Sequence, residues 1–193
     1  MTRIIGGSAR GRRLKVPAAG TRPTTDRVRE SLFNMLEHRY DGLDGVSVAD
    51  VYAGSGAFGL EAASRGASPV VLVDNDRVAV AVMEENIRTT GLKAHVAAMD
   101  ASAWVSSASA GGTSFDVVFL DPPYHVPAAS VIALIADMAS RGLLADECDV
   151  LYECARPRKG DEGVPMPAGF EELPARTYGD TQVRHAVWYV HRV

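Results

Sequence analysis

The chain has 193 residues, a formal net charge of −4, 47% hydrophobic residues and 23% charged ones. That composition fits one soluble domain with a real core, and no apolar run is long enough to span a bilayer. The start, Met1-Thr2-Arg3-Ile4-Ile5-Gly6-Gly7-Ser8, lacks the apolar stretch of a secretion signal, so the expectation is a cytoplasmic protein.

The charge is unevenly spread. Residues 1–30 carry eight basic side chains (Arg3, Arg10, Arg12, Arg13, Lys15, Arg22, Arg27, Arg29) against two acids, while the remainder carries 12 basic and 22 acidic residues. A basic arm on an acidic body draws a polyanion to one place and repels it elsewhere. Within the arm, Arg3-Ile4-Ile5 and Arg12-Arg13-Leu14-Lys15-Val16 flank glycines and predict a hairpin. Pro17 to Pro23 reads as a linker. A helix is predicted from Thr25 or Asp26, with Val28, Leu32, Met35 and Leu36 as its buried face.

Strands and helices then alternate. Val46–Val51 predicts a strand, Phe58–Arg65 a helix, and Val70–Asp74 a second strand. Asp76 caps a helix that buries Val78, Ala81, Val82 and Ile87 and stops near Gly91. Ala94–Ala98 is a third strand, Ala101–Ser109 a small-residue helix ended by Gly111-Gly112, and Phe115–Leu120 a fourth strand. Ala128–Arg141 predicts a helix and Val150–Cys154 a strand, and Phe170–Val193 alternates like an antiparallel hairpin. Repeated strand–helix units imply a mostly parallel sheet with helices on both faces. Cys148 and Cys154, six residues apart on one strand, are separated by roughly 20 Å, too far for a disulfide. No histidine or cysteine spacing suits a metal, so none is expected.

Two loops carry chemistry. Gly54-Ser55-Gly56-Ala57-Phe58-Gly59 is a G-x-G-x-x-G run between a strand and a helix. Its glycines permit a tight turn, close ligand approach and close helix–strand packing. Asp74 lies 20 residues beyond Gly54, at the end of the next strand, where a carboxylate grips ribose hydroxyls. A nicotinamide dinucleotide and S-adenosylmethionine both suit this geometry. Asp50 favours the second, because a carboxylate there repels a pyrophosphate and suits an ammonium, directly or through water.

The second loop is Asp121-Pro122-Pro123-Tyr124, at the carboxyl end of the fourth predicted strand. An exocyclic amine of a base is a poor nucleophile because its lone pair is delocalised. The Asp121 carboxylate and the Pro122 carbonyl are acceptors that draw that lone pair out of the ring. The adjacent prolines pre-position both acceptors, and Tyr124 offers a stacking face for a displaced base.

These motifs resemble those of class I methyltransferases acting on amino groups of bases, with signature [DNS]-P-P-[YFW]. The chain is similar over nearly its whole length to the RsmD family of bacterial small-subunit ribosomal RNA guanine-N2 methyltransferases. The likeness rests on Arg3-Ile4-Ile5-Gly6-Gly7 with Gly11-Arg12-Arg13-Leu14, and on Arg22-Pro23-Thr24-Thr25-Asp26-Arg27-Val28-Arg29-Glu30. It rests also on Tyr52-Ala53-Gly54-Ser55-Gly56 with Gly59, Glu61 and Ala62, and on Asp121–Tyr124.

The resemblance implies a Rossmann-like fold with a seven-stranded, mostly parallel sheet, an antiparallel carboxyl-terminal hairpin and an amino-terminal hairpin extension. It divides the chain into a basic RNA-contacting arm, residues 1–22, and a methyltransferase domain, residues 23–193. It implies S-adenosyl-L-methionine held by Ala53, Gly54, Ser55, Gly56 and Gly59, with Asp50 before the loop and Asp74 and Asn75 on the ribose. Asp100 and Ala101 would meet the adenine, and Thr24 and Arg27 would border the methionine end. Catalysis would fall to Asp121, Pro122, Pro123 and Tyr124, and RNA contact to Arg3, Arg10, Arg12, Arg13, Lys15 and Arg22. The implied target is a guanine of 16S rRNA, conventionally 966, in an assembling 30S subunit, modified by a monomer. Two other readings stand beside this one: a DNA adenine-N6 or cytosine-N4 methyltransferase, and a non-catalytic RNA-binding assembly factor that retains the fold.

Overall fold

In the computed structural model, which describes residues 2–17, 26–108, 112–157 and 163–190, the chain divides into two compact units, Met1–Asp100 and Ala101–Val193. Arg22, Thr24, Thr25 and Gly111 lie outside the described residues.

The first unit opens with the expected hairpin, β1 (Thr2–Arg3) antiparallel to β2 (Arg13–Leu14). Its strands are shorter than the pattern predicts. The amides of Ile5 and Gly6 leave the ladder and donate instead to the Glu61 carboxylate, at 2.7 and 2.8 Å. The Lys15 amide likewise donates to the Asn86 side chain at 2.9 Å. Helix α1 (Asp26–Tyr40) buries Val28, Leu32 and Leu36 as expected. Met35 is only half-buried, and Phe33 fills the core in its place. Arg29 is also buried. Its Nη2 donates to the Arg3 carbonyl at 2.8 Å and to Asp26 at 2.9 Å, fastening the helix to the arm.

Strand β3 (Val48–Val51), helix α2 (Ala57–Ser64), strand β4 (Val70–Asp74), helix α3 (Arg77–Thr90) and strand β5 (His95–Ala98) follow. The strands lie in the order β5-β4-β3, parallel throughout, and β3 and β4 are packed with Val, Leu and Ala. Asp76 caps α3 by accepting from the amides of Val78 and Ala79, and Gly91 ends it in the left-handed conformation at φ 71°.

The buried face of α3 differs from the prediction. Val78 is 58% exposed and Ala81 is exposed, while Ala79, Met83, Asn86 and Thr90 point inward. Hydrophobicity alone misorients this helix, because two of its buried residues are polar and fully bonded. Asn86 Nδ2 donates to the carbonyls of Lys15 (3.0 Å) and Ser55 (2.9 Å), and the Thr90 hydroxyl donates to the Asn86 carbonyl at 2.6 Å.

The second unit contains helix α4 (Ala101–Ser107), strand β6 (Phe115–Leu120), helix α5 (Ala128–Ser140) and strands β7 (Leu144–Ala155), β8 (Phe170–Tyr178) and β9 (Thr181–Trp188). Strand β6 pairs parallel with β7, and β9 runs antiparallel between β7 and β8. Strand β7 begins well before Val150; the sequence pattern misses its first half, which includes Asp146, Glu147 and Asp149 and lacks an apolar run. Asp149 and His185 form a wholly buried pair across β7 and β9, Oδ1 to Nε2 at 2.5 Å. Cys148 and Cys154 are free thiols, as expected.

Among the described residues, a sheet of seven strands, mostly parallel with an antiparallel carboxyl-terminal end, five helices and an amino-terminal hairpin make this a Rossmann-like α/β protein. No helix among the described residues is long and apolar enough to cross a membrane.

Candidate active site

In the first unit the site residues gather where β3 and β4 end. After Val51 the chain turns through Tyr52, a non-glycine residue at φ 64°, and then through Gly54 (φ 55°) and Gly56 (φ 75°). Holding Tyr52 in the left-handed region costs on the order of 1–3 kcal/mol, and such strain collects at ligand sites. Burial and the nearby Asp100 carboxylate push its phenol pKa up. The family motif includes Tyr52 without giving it a role; its backbone angle marks it as part of the site.

The glycines serve different ends. A Cβ on Gly59 would sit 2.2 Å from Leu72 Cδ2, so glycine here lets α2 pack on the sheet. A Cβ on Gly54 would meet nothing within 4 Å, which is the open approach a ligand needs. Asp74 shapes the same loop, accepting from the Gly54 amide (2.8 Å, Oδ2) and the Asp76 amide (2.9 Å, Oδ1). Ala53 is buried, Ser55 is tied to Asn86, and Asn75 and Asp100 are exposed beyond β4 and β5. Arg27 is exposed in the first turn of α1, and Ala101 is buried at the start of α4 in the second unit.

Asp50 is buried beneath the loop, and its Oδ2 accepts from the Gly59 amide at 2.8 Å. Burial pushes its carboxyl pKa up to about 7, against the opposing pull of the Gly59 N–H, with the Asp74 charge raising it further. Between roughly pH 4 and 7 the native protein therefore holds a proton that the unfolded chain has released. Stability falls as pH rises through that window and levels off above it, by at most about 4 kcal/mol from this group. Asp50→Asn should flatten that slope, as measured by urea unfolding at pH 4.5 and 7.5 on both proteins.

The second unit holds the Asp-Pro-Pro-Tyr turn directly after β6. It lines a cavity of about 840 Å³ whose other walls include Tyr152, Cys154, Gln182 and Arg184 on β7 and β9. Tyr124 is 76% exposed, with its ring free to stack. The cavity walls from β7 and β9 escape a reading by motif, since they come together only through strand register: Tyr152 opposite Arg184 and Cys154 opposite Gln182.

On the arm, Arg3, Arg10, Arg12, Arg13 and Lys15 are all exposed. Three have partners: Arg3 pairs with Asp26 at 3.4 Å, Arg12 donates to the Thr89 carbonyl at 2.7 Å, and Lys15 pairs with Glu85. Arg10 and Arg13 form no side-chain bond among the described residues.

A strained, glycine-lined turn after the first sheet strand and a rigid Asp-Pro-Pro-Tyr turn after the fourth are the marks of class I methyltransferases. The solved Escherichia coli protein yhhF matches with a TM-score of 0.82 at 33% identity, covering 98% of each chain. Magnesium protoporphyrin IX methyltransferase from Synechocystis PCC 6803 shares the fold alone, with a TM-score of 0.63 at 18% identity over 84% of this chain and 82% of that one. The chain belongs to the family described as Conserved hypothetical protein 95, whose model matches residues 2–187. Ribosomal RNA small subunit methyltransferase D of Escherichia coli (strain K12) is 42% identical over 185 residues, 94% of this chain and 87% of that protein.

Proposed function

We propose that this protein transfers a methyl group from S-adenosyl-L-methionine to the exocyclic N2 of a guanine in 16S rRNA, the 966 position, during small-subunit assembly. The observation that carries the reading is the rigid Asp121–Tyr124 turn on the wall of a base-accommodating cavity. Family membership and the similarity to a small-subunit rRNA methyltransferase support the RNA substrate.

The first unit's residues fit the donor. The open backbone at Gly54 would admit a ligand, with Ala53, Ser55 and Gly56 in the same turn and Gly59 seating the helix behind it, and Asp74 and Asn75 are assigned to the ribose hydroxyls. Tyr52 and Asp100 would border the adenine, with Ala101 following. Asp50, Thr24 and Arg27 are assigned to the methionine end. When bound, the donor supplies an electrophilic methyl on a sulfonium and departs as a thioether.

The protein's own contribution is to prepare the base. The Asp121 carboxylate and the Pro122 carbonyl accept the two N2–H bonds and localise the nitrogen lone pair. Pro123 keeps the turn stiff, and Tyr124 stacks on the ring. With the donor bound, the nitrogen lone pair would take the methyl carbon as the carbon–sulfur bond breaks and its electrons return to sulfur. The surplus N2 proton then passes to Asp121 or water. To test the reading, protein, labelled donor and partly assembled subunits are combined and the RNA is digested to nucleosides. N2-methylguanosine is the expected product, and N6-methyladenosine in its place would overturn it.

The arm, residues 1–22, supplies phosphate contacts from Arg3, Arg10, Arg12, Arg13, Lys15 and Arg22, and the enzyme acts as a cytoplasmic monomer. Arg10 and Arg13 are the clearest test, since neither is engaged within the described protein. Replacing both with Ala should weaken RNA binding and reduce the slope of log K against log salt by about 1.4 to 1.8. An unchanged slope would remove the arm from the RNA interface.

A further inference from the structure

The cavity beside Asp121 is partly walled by a guanidinium that the chemistry above leaves unused. Arg184, on β9, has a side chain only 11% exposed. Its Nε donates to Glu172 Oε1 at 2.7 Å, and its Nη1 donates to the Val164 carbonyl at 2.7 Å. Nη2 takes part in neither bond. The group is thus fixed from two sides at the cavity wall, with donors left over among the described residues.

We propose that Arg184 is the residue that selects guanine, by donating to O6 of the base whose N2 is held at Asp121. The inference rests on the guanine-N2 reading given above. Guanine carries N2–H donors at one end of its Watson–Crick edge and the O6 acceptor at the other, whereas adenine presents an amino donor where guanine has O6. An arginine has donors only, so it accepts the first base and repels the second.

The spacing agrees. Leu120, the residue before Asp121, pairs with Tyr152, and Tyr152 pairs with Arg184. Two strand separations of about 4.8 Å set these backbones roughly 10 Å apart. Asp121 and Arg184 line the same cavity of about 840 Å³, which has room for one base between them. The bonds to Glu172 and Val164 fix the guanidinium before the base arrives, so little order is lost on binding.

The test compares reconstituted small-subunit particles whose rRNA carries guanine or 2-aminopurine at the acceptor position. 2-Aminopurine keeps the N2 amine and lacks O6. Wild type should prefer guanine by roughly 10- to 100-fold in kcat/KM, the range of a hydrogen bond to a charged donor. Arg184→Met, which keeps an apolar stem and loses the donors, should lose most of that preference by falling on guanine alone. The preference is a ratio taken on one enzyme preparation, so partial unfolding of the variant leaves it unchanged.

Equal loss on both bases would make Arg184 a backbone or structural contact and overturn the assignment. So would a wild type with no preference. A wild type that leaves guanine N2 unmethylated would overturn the functional reading itself, a separate result.

Discussion

Asp121→Ala should lower the rate of methyl transfer at least 10²- to 10³-fold while leaving donor affinity nearly unchanged. The expectation follows from what the turn is for. An aryl amine lends its electrons to the ring, and it becomes nucleophilic only when acceptors hold both N–H bonds in the geometry of the transition state. Removing one preorganised polar partner of a transition state typically costs about that factor. Asp121→Asn should lose less, because an amide oxygen still accepts and the wider motif admits Asn. The donor is assigned to the other loop, so calorimetry with the donor analogue should give similar affinities for wild type and both variants. Single-turnover methylation then isolates the chemical step. Near-wild-type transfer by the Ala variant would remove Asp121 from the mechanism.

Glu61→Ala should destabilise the first unit by about 3–5 kcal/mol and release the arm. Glu61 is wholly buried and accepts from the Ile5 amide, the Gly6 amide and Arg65 Nε, the last at 2.8 Å. Arg65 is itself only 6% exposed, bonded also to Glu37 at 2.9 Å and stacked over the Phe33 ring at 5.2 Å. Truncating Glu61 strips a buried guanidinium of one carboxylate and leaves two backbone donors unanswered. Hydrogen exchange at Ile5 and Gly6 and the midpoint of thermal unfolding report the two consequences separately. Exchange that stays slow in the variant would mean that the arm is held by other bonds.

Much of the fold was legible because its strands are dense apolar runs broken by glycine. Val70–Asp74 and Phe115–Leu120 have the bounds that the pattern predicts, and Asp76 and Gly91 begin and end their helix as their side-chain chemistry demands. Both functional loops were legible too, since each is continuous in the chain. What escaped were residues whose burial depends on partners far away in sequence. Glu61 and Arg65 look like an exposed pair one helical turn apart, and nothing local reveals the arm that covers them. Asn86 looks like a surface amide, so the face of α3 was set by Val78 and Ala81 instead. Asp149 meets His185, and Tyr152 meets Arg184, only after β7 and β9 have chosen a register.

Asn86 also joins two segments that are far apart in the chain. One carboxamide grips Lys15 through both its carbonyl and its amino group, and with the same amino group holds the Ser55 carbonyl. The root of the arm and the floor of the glycine loop therefore share a hinge pin. A ligand that shifted either segment would act on the other through this one side chain, and any such coupling of binding free energies is equal in both directions.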